Sequence, residues 1–271
     1  MIYIKIIACI KQVPGTTEVK IDPETNTLVR EGIENIINPF DSYAVEEAVR
    51  LKERFISNGC GKEIEVIVIT MGPPQAEKIL RDSIALGSDR VIILTDKAFA
   101  GSDTLATSSI LCAAIKKIGD YSIILCGKQS MDGDTGQVGP ELAQKLNIPF
   151  AGHVSKIDDL SEDEITYKQL TDNNYELIKT SIPTVLSVLK EINEPRIPSL
   201  KTMIKAKNML VEKWGKDDIN VKSDEIGLEG SATRVVKIFT PQVKHDITFI
   251  EGQAGEQADK LYDVLKKLNA V

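Results

Sequence analysis

Short continuous apolar runs and longer amphipathic stretches take turns along the first 150 residues of the chain. Residues 4–10, 65–70, 90–94 and 121–126 are rich in Val, Ile and Leu with little polar alternation, the pattern of strands buried on both faces. Between them, 41–56, 75–86 and 104–118 place apolar side chains at helical spacing. Strand and helix in regular succession predict a doubly wound, mostly parallel α/β sheet. Asp41 and Ser42 are positioned to cap the first helix, Pro73 and Pro74 follow Gly72 at the second, and Ser102 or Asp103 opens the third.

Two regions depart from this rhythm. VKIDPETNTLVRE, 19–31, alternates apolar and polar residues about an Asp-Pro-Glu-Thr-Asn turn and predicts a β-hairpin. After Pro149 the pattern changes to short strands at 154–157, 164–170, 175–179 and 184–189, which extend the sheet or form an antiparallel flank. An irregular stretch with Pro195 and Pro198 then leads into MIKAKNML, a short basic helix. From about Asn208 the chain is charged, holds glycines at 215, 227 and 230, and has little core of its own until a last helix at 257–268. Such a tail is expected to lie on something else, either an obligate partner or the main domain itself. The expected organisation is therefore an α/β domain at 1–192 carrying the hairpin, a distinct loop at 193–207, and a C-terminal arm at 208–271.

The segment richest in chemistry is YSIILCGKQSMDGDTGQVGPELAQKLNIP, 121–149. A buried strand runs into a loop with Gly127, Gly133, Gly136 and Gly139, and the amphipathic stretch 141–146 follows as a helix. Glycines let the backbone come close to an anion, and unpaired N–H groups at a helix start point at it. Cys126, Gly127 and Gln129 end that strand, Cys9 and Lys11 end the first, and Thr70 and Gly72 end another, while Asn38 and Asp41 stand at the mouth of the first helix. In a doubly wound sheet these ends converge on one ligand crevice. Lys11 and Lys128 are candidates to face phosphate. Asp132 and Asp134 suit hydrogen bonds to ribose hydroxyls or loop amides better than a metal, since the run lacks the other ligands of a calcium loop. There is neither a GxxxxGK[ST] nor a GxGxxG sequence.

Composition narrows the function further. A formal charge of −7 argues against a nucleic acid partner. No apolar run is long enough to span a bilayer, and MIYIKIIACIK is too short for a signal peptide. The four cysteines form no CxxC pair and the two histidines, His153 and His245, stand at no ligand spacing, so no metal site and reduced cytoplasmic thiols are expected. No nucleophile, base and orienting group fall into a catalytic pattern. What remains is a nucleotide site without hydrolytic apparatus.

KQVP at 11–14, INPFD at 37–41, CGKQSMDGDTGQVGP at 126–140 and NEPRIPSLKTMIKAK at 193–207 together resemble the beta (small) subunit of electron transfer flavoproteins, over essentially the whole chain. The resemblance implies an adenine-nucleotide-binding, Rossmann-like fold and a heterodimer with an alpha subunit that carries one FAD and exchanges electrons with a flavin dehydrogenase. It also implies that 193–207 docks on that dehydrogenase, with Leu200 as apolar anchor among Pro195, Arg196, Met203, Ile204 and Lys205. From the residues alone, a stand-alone adenine-nucleotide-binding regulator of the same fold is the rival, and the long tail and the 193–207 match argue against it.

The family has two branches. In one the beta subunit holds a structural AMP. In the electron-bifurcating branch it holds a second FAD, which takes hydride from NADH and divides the electrons between ferredoxin or flavodoxin and the alpha-subunit FAD. The loop DGDTGQVG, the hairpin and INPFD resemble the bifurcating form. On that reading the backbone N–H groups of Thr135, Gly136, Gln137, Val138 and Gly139 hold a pyrophosphate. Asp132 and Gln137 add polar contacts, Gly133 and Asp134 belong to the same binding loop, and Cys9, Lys11, Asn38, Asp41, Thr70 and Gly72 line the adenosine or ribityl part. No residue of the chain itself is expected to be catalytic, because the redox chemistry belongs to the flavin.

Overall fold

The computed structural model describes residues 3–15, 34–236, 247 and 249–270. The chain divides into two compact units, one containing 3–15 and 34–236 of these residues and a smaller one containing 247 and 249–270. The hairpin expected at 19–31 and His245 lie outside the described residues.

The larger unit begins with β1 (Tyr3–Ile10), β2 (Gln12–Pro14), β3 (Asn35–Ile37), α1 (Pro39–Ser57), β4 (Glu63–Met71), α2 (Glu77–Leu86) and β5 (Arg90–Leu94). It continues with α3 (Thr104–Ile118), β6 (Tyr121–Gly127), α4 (Val138–Leu146), β7 (Phe150–Leu160), β8 (Glu164–Leu170), β9 (Tyr175–Ser181) and β10 (Thr184–Val188). It closes with α5 (Leu200–Asn208) and β11 (Glu212–Trp214). Among the described residues one sheet has nine strands in the order β11-β5-β4-β1-β6-β10-β7-β8-β9. From β11 to β7 every pairing is parallel, and β7, β8 and β9 pair antiparallel.

Side-chain alternation splits the core into two layers. Ile6, Ala8 and Val68 face α1 and α2, where Ala44, Val45, Ala48, Ile79, Leu80 and Ile84 meet them. Ile7, Cys9, Ile67 and Ile69 face α3 and α4, packing on Ile110, Ala114, Leu142 and Ala143. Burial on both faces explains why β1, β4 and β6 are apolar nearly throughout. Each buried Ile or Leu contributes about 1.5–3 kcal/mol of transfer free energy.

The expected doubly wound sheet with an antiparallel extension is the one observed, and two local expectations are corrected. Asn38 is the N-cap of α1 and Pro39 its first residue, so Asp41 does not cap the helix but points its carboxylate at the strand ends. The basic helix begins at Leu200 rather than 203, because Ser199 caps it by accepting from the Thr202 N–H. Residues 208–236 pack back on the main domain, one of the two alternatives for this stretch: Val211, Trp214, Ile219 and Ile226 are buried in its core, and β11 adds to the sheet edge beside β5. Trp214 stacks under the Lys117 ammonium, 4.1 Å from the ring centre, and Arg90 forks onto Glu212 beside it. Charged residues around one tryptophan and a few aliphatics hide this segment from a hydrophobicity scan.

The smaller unit contains α6 (Ala254–Lys267), opened by reciprocal bonds between Gln253 and Glu256. No residue of α6 is buried.

Trp214→Ala is expected to destabilise the larger unit by about 3–5 kcal/mol, the usual cost of emptying a buried aromatic position. Urea unfolding followed by circular dichroism checks this; a change under about 0.5 kcal/mol, the size of an ordinary surface substitution, would return the segment to the status of an appendage.

Candidate functional site

Strand order reverses beside β1. The chain passes from β1 to β4 and β5 on one side, then returns through α3 to β6 on the other. The C-terminal ends of β1 and β6 therefore flank a crevice, the place where open α/β sheets hold ligands.

Two side chains at the start of α1 close the base of this crevice. The buried Asp41 carboxylate accepts the Lys11 N–H at 2.7 Å through one oxygen and the Gly127 N–H at 3.1 Å through the other. Asn38 donates its amide to the Gln129 carbonyl at 2.9 Å and accepts the Met131 N–H at 3.0 Å, while its own backbone N–H bonds the Lys11 carbonyl at 2.9 Å. Five hydrogen bonds thus stitch the end of β1, the end of β6 and the loop after it to one helix terminus. Burial raises the Asp41 carboxyl to about 7, against the pull of the Lys11 and Gly127 N–H donors. Gly127 is required here: a Cβ would stand 2.5 Å from the Asp41 carboxylate and 2.6 Å from the Phe40 carbonyl carbon.

The loop is tied internally as well. Lys11 Nζ reaches Asp132 at 2.6 Å, Gln129 bonds the Asp134 carboxylate, and the Asp134 N–H bonds the Ser130 carbonyl at 2.9 Å. Asp132 is partly buried, which raises its pKa, but the Lys11 ammonium wins and holds the carboxylate below its ordinary value. Asp134 and Gly136 take left-handed backbone conformations, φ 55° and 62°, that turn the chain into α4. Among the described residues the N–H groups of Thr135 to Gly139 have no acceptor. They lie at the start of a nine-residue helix whose dipole favours an anion.

The sequence-predicted residues fall into groups with different work. Thr135, Gly136, Gln137, Val138 and Gly139 present the free N–H groups. Gly133 keeps the loop narrow, since a Cβ there would sit 3.2 Å from Ser130 Oγ. Asn38, Asp41 and Gly127 have their polar atoms bound within the protein and shape the site from behind. Lys11, Asp132, Gln129 and Asp134 form the two pairs that close the loop. Cys9 and Cys126 are buried, and burial pushes both thiols up, Cys126 to about 12, so they pack as small apolar groups. Gly139 lets α4 approach Cys126 Sγ, 3.0 Å from where a Cβ would be. Gly72 donates its N–H to the Leu94 carbonyl at 3.1 Å. Thr70, opposite Ile10 in the sheet, is fully buried with a hydroxyl that has no partner among the described residues.

One feature is absent from the sequence reading. A cavity of about 280 Å³ adjoins Thr135 and Gly136 and is lined also by Lys128, Gln129, Phe150, Gly152, His153 and Ser187. Ser187 comes there because β10 inserts between β6 and β7, with Ser187 opposite Cys126. Nothing in the local pattern at 150–153 or 187 marks these residues; only the strand order brings them to the loop.

The second predicted group, at 193–207, is an exposed strip. Leu200 is 75% exposed and Ile197 93%, with Met203 and Ile204 about half exposed beside them. Pro195 lines a second hollow with Tyr43 and Ile37, and Lys205 lies in the last turn of α5. Arg196 is turned inward instead, onto Glu46 and Glu53 of α1.

The pattern described as the electron transfer flavoprotein domain matches residues 25–219. The chain is 42% identical over 267 residues to the electron transfer flavoprotein subunit beta of Thermoanaerobacterium thermosaccharolyticum, covering 98% of this chain and 99% of that one. It is 42% identical to the subunit beta of Clostridium acetobutylicum, over 97% of this chain and 98% of that one. It is 40% identical to the caffeyl-CoA reductase-Etf complex subunit CarD of Acetobacterium woodii, over 98% of this chain and 100% of that one. No helix among the described residues is long and apolar enough to cross a membrane.

Asp41→Asn keeps one acceptor but turns an N–H toward a second N–H, and is expected to cost about 1–3 kcal/mol in urea unfolding. Because the folded Asp41 pKa lies above its unfolded value near 3.8, its contribution is fully present below that value and is lost as pH rises through about 7. The wild-type urea midpoint should contain a component that falls over this window, and the variant should lack it. Matching pH slopes for the two proteins would show that the carboxyl titrates normally.

Proposed function

Since this chain belongs to the electron transfer flavoprotein family as a beta subunit, we propose that it holds a FAD at the β1/β6 crevice and serves electron bifurcation in a heterodimer with an alpha subunit. The observation that carries this reading is the row of N–H groups from Thr135 to Gly139 at the start of α4, unpartnered among the described residues and bordering a cavity. The N–H row suits the phosphate of either AMP or FAD. The adjoining cavity of about 280 Å³ suits either as well, and FAD is preferred because the loop DGDTGQVG resembles the bifurcating form.

The residues present fit the group. Thr135 to Gly139 would hold the pyrophosphate through backbone N–H groups, with the dipole of α4 behind them. The Thr70 hydroxyl, buried and unpaired, is available to a ribose or adenine polar atom at the end of β4. Asn38 and Asp41 keep the loop in register with β1, so the donors are in place before a ligand arrives. Lys128 and His153 add polar groups to the wall of the cavity, and Phe150 an apolar face. When bound, the FAD supplies hydride acceptance from NADH and one-electron delivery, to ferredoxin or flavodoxin on one branch and through the alpha-subunit FAD to a flavin dehydrogenase on the other. The chain contributes position and electrostatics.

The exposed strip at Ile197, Leu200, Met203 and Ile204 is the proposed contact with that dehydrogenase. Lys201, Lys205 and Lys207 share α5 with it and no acidic residue does, which suits an apolar pocket with a carboxylate rim. The relative named as part of a caffeyl-CoA reductase-Etf complex supports an enzyme of CoA esters as partner.

The chain purified with its alpha subunit is expected to release two FAD and no AMP per heterodimer on chromatography; one FAD with one AMP would replace bifurcation by simple electron carriage. Gly136→Asn keeps a left-handed backbone that asparagine tolerates, and is expected to weaken retention of this subunit's flavin about tenfold or more. Full occupancy in the variant would remove the pyrophosphate from that position. Leu200→Ala is expected to raise the half-saturating dehydrogenase concentration about tenfold, as truncation of a buried apolar anchor does.

A further inference from the structure

The strip at 197–204 is framed by arginines at both ends. At its start, Arg196 donates through Nε to Glu46 at 2.8 Å and through both Nη atoms to Glu53 at 2.8 and 3.0 Å, with a further bond to Glu46 at 3.2 Å. Glu46 is 1% exposed, and its other oxygen also takes Arg50 Nε at 2.6 Å. Burial alone would raise the Glu46 carboxyl, but the two guanidinium groups hold it below its ordinary value. The backbone is held as well. The Arg196 N–H bonds Glu46 at 3.1 Å, the Glu194 carbonyl accepts Arg50 Nη2 at 2.8 Å, and the Asn193 amide donates to Glu47 and to the Tyr43 carbonyl, both at 3.0 Å.

At the far end, Arg81 of α2 donates to the Ala206 carbonyl at 2.7 Å and to the Lys207 carbonyl at 3.2 Å, the last carbonyls of α5. Glu77 holds the same guanidinium at 2.6 Å. A cation on the terminal carbonyls also favours the helix dipole. Between these anchors, Ala206 is the one residue of α5 that is buried. Little of the helix is buried where it lies along α2, so its seat leans on Arg81, while α1 holds the segment that leads into it.

We infer that Arg196 and Arg81 are positioning residues that hold the apolar strip in its docking conformation before the partner arrives, so that association does not have to order it. This inference rests on the proposed role of the strip. Charge makes the device specific: only a planar fork satisfies Glu46 and Glu53 together, so lysine at 196 reaches one carboxylate and not both. Freed of its frame, the strip would have to be ordered on binding, which lowers affinity without altering any atom that touches the partner.

The test uses the heterodimer reduced by NADH and an electron-accepting acyl-CoA dehydrogenase as probe. Arg196→Gln and Arg81→Gln are each expected to raise the half-saturating dehydrogenase concentration about tenfold, the cost of re-ordering a few side chains, while the saturating rate and the flavin content stay unchanged. Arg196→Lys should recover part of the loss. Limited proteolysis should cleave the variants faster at Lys201 and leave the rest of the chain at wild-type rate. Glu53→Gln, at a half-exposed position, removes half of the clamp without burying an unpaired charge and should give a smaller rise. If the arginine variants match wild type in half-saturation while Leu200→Ala does not, the frame is not a positioning device and the docking strip stands. If Leu200→Ala also matches wild type, the strip itself is not the contact. Loss of flavin or a general fall in stability with the arginine variants would make them supports of the whole domain and overturn the inference.

Discussion

One carboxylate holds the functional edge of the sheet together. Parallel strands end with backbone N–H groups that no neighbour satisfies, and at the ends of β1 and β6 two such groups, on Lys11 and Gly127, share Asp41. Pairing them through a side chain fixes the separation of the strand ends at the point where the order of the sheet reverses. Gly127 permits the approach and Asn38, one helical turn away, extends it to the loop. Burying a carboxyl raises its pKa, so the arrangement is held against an unfavourable desolvation that only the surrounding core makes tolerable.

Helix α1 emerges as the common beam of the molecule. Its first turn carries the crevice, its apolar face packs on Ile6 and Ala8, and its acidic face at Glu46, Glu47 and Glu53 receives the start of the 193–207 segment. A nineteen-residue helix packed on the central strands is stiff enough to keep both ends of this arrangement in fixed relation. The proposed cofactor site and the start of the proposed docking strip are thus both referred to α1, while α2 holds the strip's far end.

Much of this was legible in the chain. β5, α3 and β8 occupy the residues that periodicity predicts, and the glycine-rich run points to the proposed anion site because strand, loop and helix start are contiguous there. The roles of Asn38 and Asp41 were less legible. In the sequence both look like ligand contacts, since a polar residue at a strand end looks the same whether it faces a ligand or a neighbouring amide. Arg196 looks like a partner contact for the same reason, because its own partner Glu46 lies about 150 residues away. The cavity beside Thr135 was invisible because Ser187 and His153 reach it through strand order, which no local pattern encodes. Trp214 and its few aliphatic neighbours were masked by the charges around them.

The place of β10 has a consequence for how the molecule comes to exist. It is the last of the central strands to leave the ribosome, yet it lies between β6 and β7, and the Lys128 N–H finds its acceptor on Val188. A growing chain that has completed β9 has every strand of the antiparallel flank but no seam joining it to the rest of the sheet. Closing that seam brings together residues far apart in the chain, the slow kind of contact in folding. The wall of the cavity beside Thr135 is therefore among the last parts to be built, and a half-made chain does not yet have the proposed site complete.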